Sequence, residues 1–576
     1  MISAFGPRAR AFADRLGDID AVIADERLVM GAFPEAVRRR QAGETFYGMV
    51  LIEDRRTRAV FNVAPGVLTT IDDLDQRRVT LEHLPTGELP VNGEPASALW
   101  ADDPSEAMAV REFLSLADVV LVRSHADRAL LETMLLRPKP FEIAVSEPVV
   151  PVVTRVRPER PSVVVWAPDR AFDFIAWHAF ALTEFRGDVT CVCLPSAIPA
   201  GLTARFARAG DPAVAEALAR ANVILCPEPH DPGPAIAFAR QGYGIVAPAA
   251  SGVPEFVRDA ATYDFSLKHI PVAVAIALTR PASVRYVPPP LPAARSTGFA
   301  LPAPAERPLV SVIVPTYNRP NDVALCLANL ERQTYRPLEV VVMNDAGENV
   351  DAIVARFPFA RAVNLEQNGG AVHALVAGFA HVRGTYVQLL ADDDELYPDH
   401  IERLMAAILA SGAAIAHGNS LIRYQQRRDD GTLLTVGFNA QTFADSTTPT
   451  EALKATPISG QAFVIRRDIT DEIGGFRVDC VLADQEFQLR ASDRYAFAYV
   501  DQTTAEWRVR GRENFSSNVD TYAAVKQVFE EMHPRPDRPV IEFERKAMLD
   551  GVAARPKGFI FPPTIQLRSM PVETGA

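Results

Sequence analysis

LLADDDELYPDH, residues 389–400, carries three adjacent carboxylates, Asp392, Asp393 and Asp394. They follow an apolar run, Thr385 to Ala391, that reads as a strand, and a helix is expected to begin near Pro398. A strand ending in an acidic turn suits a hard divalent cation. Mg²⁺ and Mn²⁺ take oxygen ligands and usually share them with a substrate phosphate. Acidic turns and helix caps use the same residue types, so the triplet alone leaves both readings open. Its setting is more informative, because a second unusual element, PTYNRP, stands upstream at residues 315–320.

Around these two stretches strand and helix patterns alternate. LVSVIVP (309–315) reads as a short buried strand. Pro320 follows where a first helical residue tolerates proline, and Val323, Leu327 and Leu330 recur at helical spacing. LEVVVMN (338–344) is a second strand, TYVQLLA (385–391) a later one, with helices at 371–382 and 399–411. Such alternation implies a mainly parallel sheet covered on both faces. Ligands of such sheets lie beyond the carboxyl ends of the strands. Pro315–Arg319, Asn344–Asp345 and Asp392–Asp394 all fall there, so they are expected to converge.

The whole chain sets outer bounds. Its 576 residues exceed one core, so about three or four domain-sized pieces are expected. A net charge of −13 without a basic tract argues against nucleic acid as a partner. The five cysteines are scattered without zinc spacing, which fits a reducing cytoplasm. The start, MISAFGPRARAFADRL, does not read as a signal peptide, and no apolar run approaches a membrane span. Peripheral association with the inner face of a membrane stays open. VPPPLPAARSTGFALPAPAERP, from residue 287, reads as a semi-rigid Pro/Ala-rich linker. A weaker break lies at residues 145–161. After residue 518 one helical stretch, Tyr522 to Met532, precedes a proline-rich tail.

SVIVPTYNRP (311–320), VVVMNDAG (340–347), Asn368 and Gly370, LLADDDELYP (389–398), IGGF (473–476) and LADQEFQLR (482–490) occur in the order and spacing of a known family. Over residues 308–515 the chain resembles a family 2 glycosyltransferase of the GT-A fold, a Rossmann-like domain with a mainly parallel mixed sheet. The resemblance implies a nucleotide-sugar site. Pro315, Thr316, Tyr317, Arg319 and Asp345, with Asn368 and Gly370, would hold the nucleoside of a nucleoside-diphosphate sugar. A carboxylate such as Asp345 can accept hydrogen bonds from a base N–H or ribose hydroxyls. Asp-Ala-Gly also makes a good turn, and Tyr317 could simply pack.

The family's metal signature is Asp-x-Asp, and proline stands five residues after the ligand. Counting back from Pro398 gives Asp393 as the ligand of Mn²⁺ or Mg²⁺. Ala391 stands where the family often has Asp, so Asp392 would take over the earlier role. Asp484 matches the carboxylate that opens the family's acidic motif and would serve as general base in an inverting displacement. Glu486 is the alternative, and an acid at a helix N-terminus is also favoured by the dipole. Ser459 and Gly460 match the loop that meets the acceptor, a glycan or lipid-linked glycan. The chain departs from the family at Ala374, Leu375 and Val376, where Ala-Arg-Asn is common, and at Arg510, where histidine is common. Arg510 either grips the diphosphate or is a surface arginine.

The first half is less explicit. ADVVLVRSHADRALLETM (117–134) reads as strand, turn and helix. Residues 221–259 read as strand, loop, helix, strand and glycine turn. This half resembles, over about 100 residues, the nucleotide-binding half of a family 4-like GT-B glycosyltransferase. There two glutamates hold the donor; Asp231 and Ala239 stand at those positions. The implied organisation is an N-terminal α/β region (1–150), a GT-B-like Rossmann-type half, either altered or degenerate (151–286), the linker (287–307), a GT-A transferase (308–518) and a tail (519–576). Gly252 and Glu255 are the residues to probe in the GT-B-like half; for the family 2 transferase half, the resemblance implies UDP as the nucleotide. The rival is a non-catalytic glycan- or nucleotide-binding scaffold with eroded sites. A nucleotidyltransferase would need a glycine-rich basic loop after the first strand, and Pro-Thr-Tyr-Asn-Arg lacks one.

Overall fold

The computed structural model describes most of residues 1–534. Outside it lie 52–58, 61–79, 82–103, 133–138, 195–201, 264–268, 292–300, 442–457 and 511–519, scattered stretches of one to three residues, and most of the chain after 534. The middle of the expected linker is thus outside the described residues. The chain divides into two units. Unit 1 is Met1–Ala32, Phe46–Leu114 and Asp118–Ala294; unit 2 is Phe33–Thr45, Ser115–Ala117 and Arg295–Ala576.

Unit 1 holds two all-parallel sheets of three strands or more. In the first, β1 (Ile2–Phe5), β2 (Ala21–Asp25), β3 (Tyr47–Leu51), β4 (Val119–Val122) and β5 (Phe141–Ile143) pair in chain order. The second contains β6 (Ser162–Ala171), β7 (Asp188–Leu194), β8 (Arg205–Ala207), β9 (Val223–Leu225), β10 (Gly244–Pro248) and β11 (Ala261–Tyr263), in spatial order β8-β7-β6-β9-β10-β11. Helix α1 (His125–Glu132) follows β4, and α2 (Gly233–Arg240) follows β9. The patterns expected over 117–134 and 221–259 are therefore present. Ala239 is packed in the core beside Phe238 and Tyr243. Glu255 accepts from the amides of His125 (2.9 Å) and Ala126 (3.1 Å), which occupies both oxygens on the start of α1. A Cβ at Gly252 would lie 2.3 Å from the Ser124 side chain, so glycine there serves close packing.

Unit 2 is built on a mixed sheet. Its elements in chain order are β12 (Val310–Thr316), α3 (Pro320–Glu331), β13 (Leu338–Asn344), β14 (Ala360–Asn364), α4 (Ala371–Gly378), β15 (Tyr386–Leu389), β16 (Glu395–Leu396), α5 (His400–Ser411), β17 (Ile415–Arg427), β18 (Leu433–Gln441), β19 (Phe463–Arg466), α6 (Ala483–Ser492), β20 (Phe497–Val509) and β21 (Ile565–Gln566). The spatial order is β14-β13-β12-β15-β19-β17-β18-β21, with β20 paired to β16 and β17. The first four strands are mutually parallel, and β19 is antiparallel to its neighbours. Alternation along the strands divides the core in two. Val310, Val312, Val314, Val340 and Val342 pack on one face; Ile313, Val341, Met343, Val387 and Leu389 pack on the other. Burial on both faces explains why these strands read as unbroken apolar runs. The helix expected from Tyr522 to Met532 is present as Thr521–Lys526 continuing into a wider turn, Gln527–Met532. Its Val525, Val528 and Phe529 pack with Leu482 and Leu489, at the start of and within α6.

A buried polar layer supports the acidic turn. Glu506 on β20 is fully buried and accepts from Arg423 Nε (2.7 Å), Arg423 Nη2 (2.8 Å) and the Tyr397 hydroxyl (2.8 Å). Arg40, also fully buried, donates to both oxygens of Asp399 at 3.1 and 3.2 Å. Breaking a buried pair leaves its partner's charge uncompensated. Glu506→Ala is therefore expected to lower stability by about 3–5 kcal/mol, read as a reduced denaturation midpoint. All five cysteines are buried thiols outside any disulfide. No described helix is long and apolar enough to cross a membrane.

Candidate functional site

The ends of β12, β13 and β15 bring the acidic turn and PTYNR together as the strand order requires. Thr316, the last residue of β12, donates its hydroxyl to Asp392 Oδ2 at 2.6 Å. Arg319 Nη1 reaches Asp392 Oδ1 (3.1 Å) and Asp393 Oδ2 (2.9 Å). The amide of Asp345, just beyond β13, donates to the Thr316 carbonyl at 2.9 Å. Asp345 in turn accepts from the amides of Gly369 (2.9 Å) and Gly370 (2.7 Å). One continuous set of contacts thus runs from Gly370 through Asp345, Thr316, Asp392 and Arg319 to Asp393. Gly370 sits at φ +88°, where a side chain is strained, and it opens α4. Pro315 is half-buried, whereas Tyr317 (48% exposed) and Asn368 face solvent.

The turn is held from α3. Asn329 Nδ2 donates to the Leu396 carbonyl (2.9 Å), and its side-chain oxygen accepts the Leu396 amide (3.1 Å). Just past the end of α3, Gln333 Nε2 donates to the Tyr397 carbonyl at 2.7 Å. Asp394 points into the protein and accepts the Arg508 amide at 3.0 Å. The three aspartates therefore differ in role: Asp394 anchors the turn, while Asp392 and Asp393 meet Arg319.

Burial governs their acidity. Asp392 is pushed up to about 6 by burial and then by neighbouring Asp393, against the Thr316 hydroxyl and Arg319. Burial also raises Asp393, with Arg319 and Arg510 pulling the other way. Asp394 is raised well above the carboxylate range by burial and by Asp393. Arg319 is lowered by burial, but Asp393 and Asp392 outweigh this and its net shift is upward. Arg510 is not a surface arginine. It is 9% exposed and pairs with Asp322 at 2.7 Å. Asp322 on α3 had no flag in the sequence, since a lone acid in a first helical turn is ordinary.

Oxygen-only donors at Asp392 and Asp393 fit a hard cation. Among the described residues no group of three or more His, Cys, Asp or Glu side chains is arranged to hold a metal. The protein alone would thus leave most of a cation's coordination to a bound diphosphate and water, as Mg²⁺ tolerates.

Asp484 forms a second group. It lies in the first turn of α6, where burial pushes its carboxyl up to about 6 against the adjoining backbone amides. Protein atoms surround it, yet part of its surface still meets solvent. A Cβ at Gly460 would lie 3.3 Å from Asp484 Oδ2, so the Ser459-Gly460 turn passes directly over this carboxylate. The loop is tied to β15, where Gln388 Nε2 donates to the Gln461 carbonyl at 3.0 Å. Glu486 is already engaged: it accepts from Arg490 Nε and Nη2, each at 2.7 Å, and lies 3.0 Å from His533 Nε2. Gly460→Val is expected to crowd Asp484 and reduce turnover by about tenfold or more, with nucleotide affinity unchanged, in paired kinetic and binding assays.

The model of the family described as "Glycosyl transferase family 2" matches residues 311–474. That span includes Thr316, Asp345, Asp392 and Asp393 and stops before Asp484. The uncharacterized glycosyltransferase YwdF of Bacillus subtilis (strain 168) is 31% identical over 190 residues, covering 32% of this chain and 69% of YwdF. Glycosyltransferase GlyG of Streptococcus pneumoniae serotype 4 (strain ATCC BAA-334 / TIGR4) is 29% identical over 116 residues, 19% of this chain but only 38% of GlyG. Among solved structures, the mannosyltransferase PcManGT from Pyrobaculum calidifontis in complex with GDP-Man and Mn2+ aligns over 45% of this chain and 77% of its own, at 20% identity and a TM-score of 0.34. That likeness is too loose to bear on the site. With the strand-ending motifs inside the family match and more than two thirds of YwdF covered, the chain belongs to glycosyltransferase family 2.

Proposed function

We propose that the chain is a metal-dependent inverting glycosyltransferase, moving a sugar from a nucleoside-diphosphate sugar, with UDP the favoured nucleotide, to a hydroxyl of a glycan or lipid-linked glycan in surface polysaccharide synthesis. The observation that carries this reading is the grouping of Asp392, Asp393, Thr316 and Arg319 at strand ends, with Asp484 under the Ser459-Gly460 turn. The transferase domain, in this reading GT-A over 308–518, follows a GT-B-like region that is either altered in its chemistry or degenerate.

Pro315, Thr316, Tyr317, Arg319 and Asp345 form the nucleoside side, with Asn368 and Gly370 on the loop opposite. Each Asp345 oxygen receives one backbone amide and keeps a second lone pair for a base N–H or ribose hydroxyl. Asp393, assisted by Asp392, would hold Mn²⁺ or Mg²⁺. When bound, the cation neutralises charge on the departing diphosphate. Arg510, held by Asp322 and acting electrostatically on Asp393, would grip the same diphosphate. Asp484 takes the proton of the acceptor hydroxyl as its oxygen attacks the anomeric carbon. The bond from that carbon to the diphosphate oxygen breaks on the opposite side, so configuration inverts.

The base must be ionised, and its carboxyl lies near 6. Activity is therefore present above that pH and lost as pH falls through it. The expected profile of kcat/KM drops by about tenfold per unit below pH 6.

The scaffold reading gains support from Arg319, which already bridges Asp392 and Asp393. A screen of nucleotide sugars separates the readings. Release of a nucleoside diphosphate with inverted product supports transfer; release of pyrophosphate points to nucleotidyl transfer; no turnover with any donor favours the scaffold.

A further inference from the structure

Arg319 holds the two carboxylates assigned to the metal. Its Nη1 stands 3.1 Å from Asp392 Oδ1 and 2.9 Å from Asp393 Oδ2, so one nitrogen lies between the two acidic side chains. The other Asp392 oxygen, Oδ2, takes the Thr316 hydroxyl. A hard cation binds carboxylate oxygens at about 2 Å. The position from which one cation would meet both Asp392 and Asp393 is the position that Nη1 holds. Metal and guanidinium therefore compete for it.

Two guanidiniums stand near this pair, and they differ in freedom. Arg510 is fixed by Asp322 at 2.7 Å, and its side chain is 5% exposed. Arg319 stands at the N-cap of α3, directly before Pro320, and its side chain is 31% exposed. Its head can leave the carboxylates by side-chain rotation toward solvent, with no change in β12 or α3. Leaving alone is unfavourable, because the guanidinium gives up charge-assisted bonds to two carboxylates and gains only water. A diphosphate arriving with the metal supplies the missing partner, since the planar fork matches phosphate oxygens. The full exchange leaves every charge paired, whereas either half of it alone leaves one without its partner.

We propose that Arg319 is a displaceable counter-cation: it holds the position between Asp392 and Asp393 until a metal takes it and then grips the diphosphate, so that metal and nucleotide bind as a coupled pair. This rests on the reading of Asp393 as metal ligand, and it moves Arg319 from the nucleoside side to the diphosphate side. Such coupling is reciprocal: the factor by which UDP tightens Mn²⁺ is the factor by which Mn²⁺ tightens UDP.

The test titrates Mn²⁺ into the full chain, with and without UDP, following loss of the free ion's paramagnetic resonance signal. Arg319→Gln is expected to bind Mn²⁺ about tenfold more tightly than the unaltered protein without UDP, because no guanidinium has to be displaced. In the same variant the factor by which UDP tightens Mn²⁺ is expected to fall about tenfold, since no arginine passes to the diphosphate. Arg319→Lys keeps a cation for the pair and is expected to stay within about threefold of the unaltered protein with Mn²⁺ alone. Thermal melts check folding and give a second readout. Arg319→Gln leaves the two carboxylates without this cation, so Mn²⁺ is expected to raise its melting temperature more than that of the unaltered protein. Mn²⁺ affinity that Arg319→Gln leaves unchanged or weakens, while Asp393→Ala still removes the effect of Mn²⁺ on UDP, overturns this proposal and leaves the metal site standing. A tightened Mn²⁺ site with an undiminished effect of UDP overturns the passage of Arg319 to the diphosphate. No Mn²⁺ binding by any of these proteins, with or without UDP, overturns both this proposal and the metal-dependent donor site.

Discussion

Asp484→Asn is expected to leave nucleotide affinity within about twofold while reducing transfer by about 10²–10⁴. The two carboxylates of the α6 opening have different surroundings, and this makes the expectation sharp. Glu486 is saturated by Arg490 and His533 and lies below its ordinary range: burial raises it, but His533 and Arg490 prevail. Among the described residues Asp484 has no such cation, and burial raises it to about 6, which gives a base of useful strength near neutral pH. Asparagine fills the same space and cannot take a proton, so the fold and the donor side should be undisturbed. Equilibrium binding of nucleotide and single-turnover transfer on the same preparation separate the effects. Substantial retained turnover would reassign the base.

Asp393→Ala is expected to remove the Mn²⁺ dependence of nucleotide binding and reduce transfer by about 10²–10³, the scale for losing an electrostatic contact to developing charge. The fold should survive. The turn is anchored by Asp394 through the Arg508 amide, by Asn329 on α3 and by Gln333 just past it, none of which involves Asp393. Arg319 retains Asp392 as a partner. An unchanged melting temperature with lost metal dependence is the signature. A variant that still binds nucleotide with full Mn²⁺ dependence would move the ligand to Asp392, one residue earlier.

The sheet of unit 2 could be read from sequence because its central strands are buried on both faces. LVSVIVP and LEVVVMN have nothing to alternate, and their ends coincide with the first polar residues that follow. The convergence of Thr316, Asp345 and Asp392 follows from the rule for parallel strand ends. The contacts that define each residue's circumstances were not legible, because they are made across long separations by side chains with no local period. Arg510 pairs with Asp322, 188 residues away. His533, in a tail with little pattern, reaches Glu486, 47 residues earlier. Arg40 meets Asp399 across 359 residues. The backbone amides that Asp345 and Glu255 accept are equally silent in sequence, since such bonds leave no local pattern in the residues that make them.

The central claim is a working donor site at the carboxyl ends of β12, β13 and β15. Calorimetric titration of UDP into the full chain, with and without Mn²⁺, tests it most directly. The account predicts binding that Mn²⁺ tightens by about tenfold or more, a tightening that Asp393→Ala abolishes. Folded protein that binds neither UDP nor any other nucleoside diphosphate, with or without Mn²⁺, would contradict it and leave a family 2 fold serving as a scaffold.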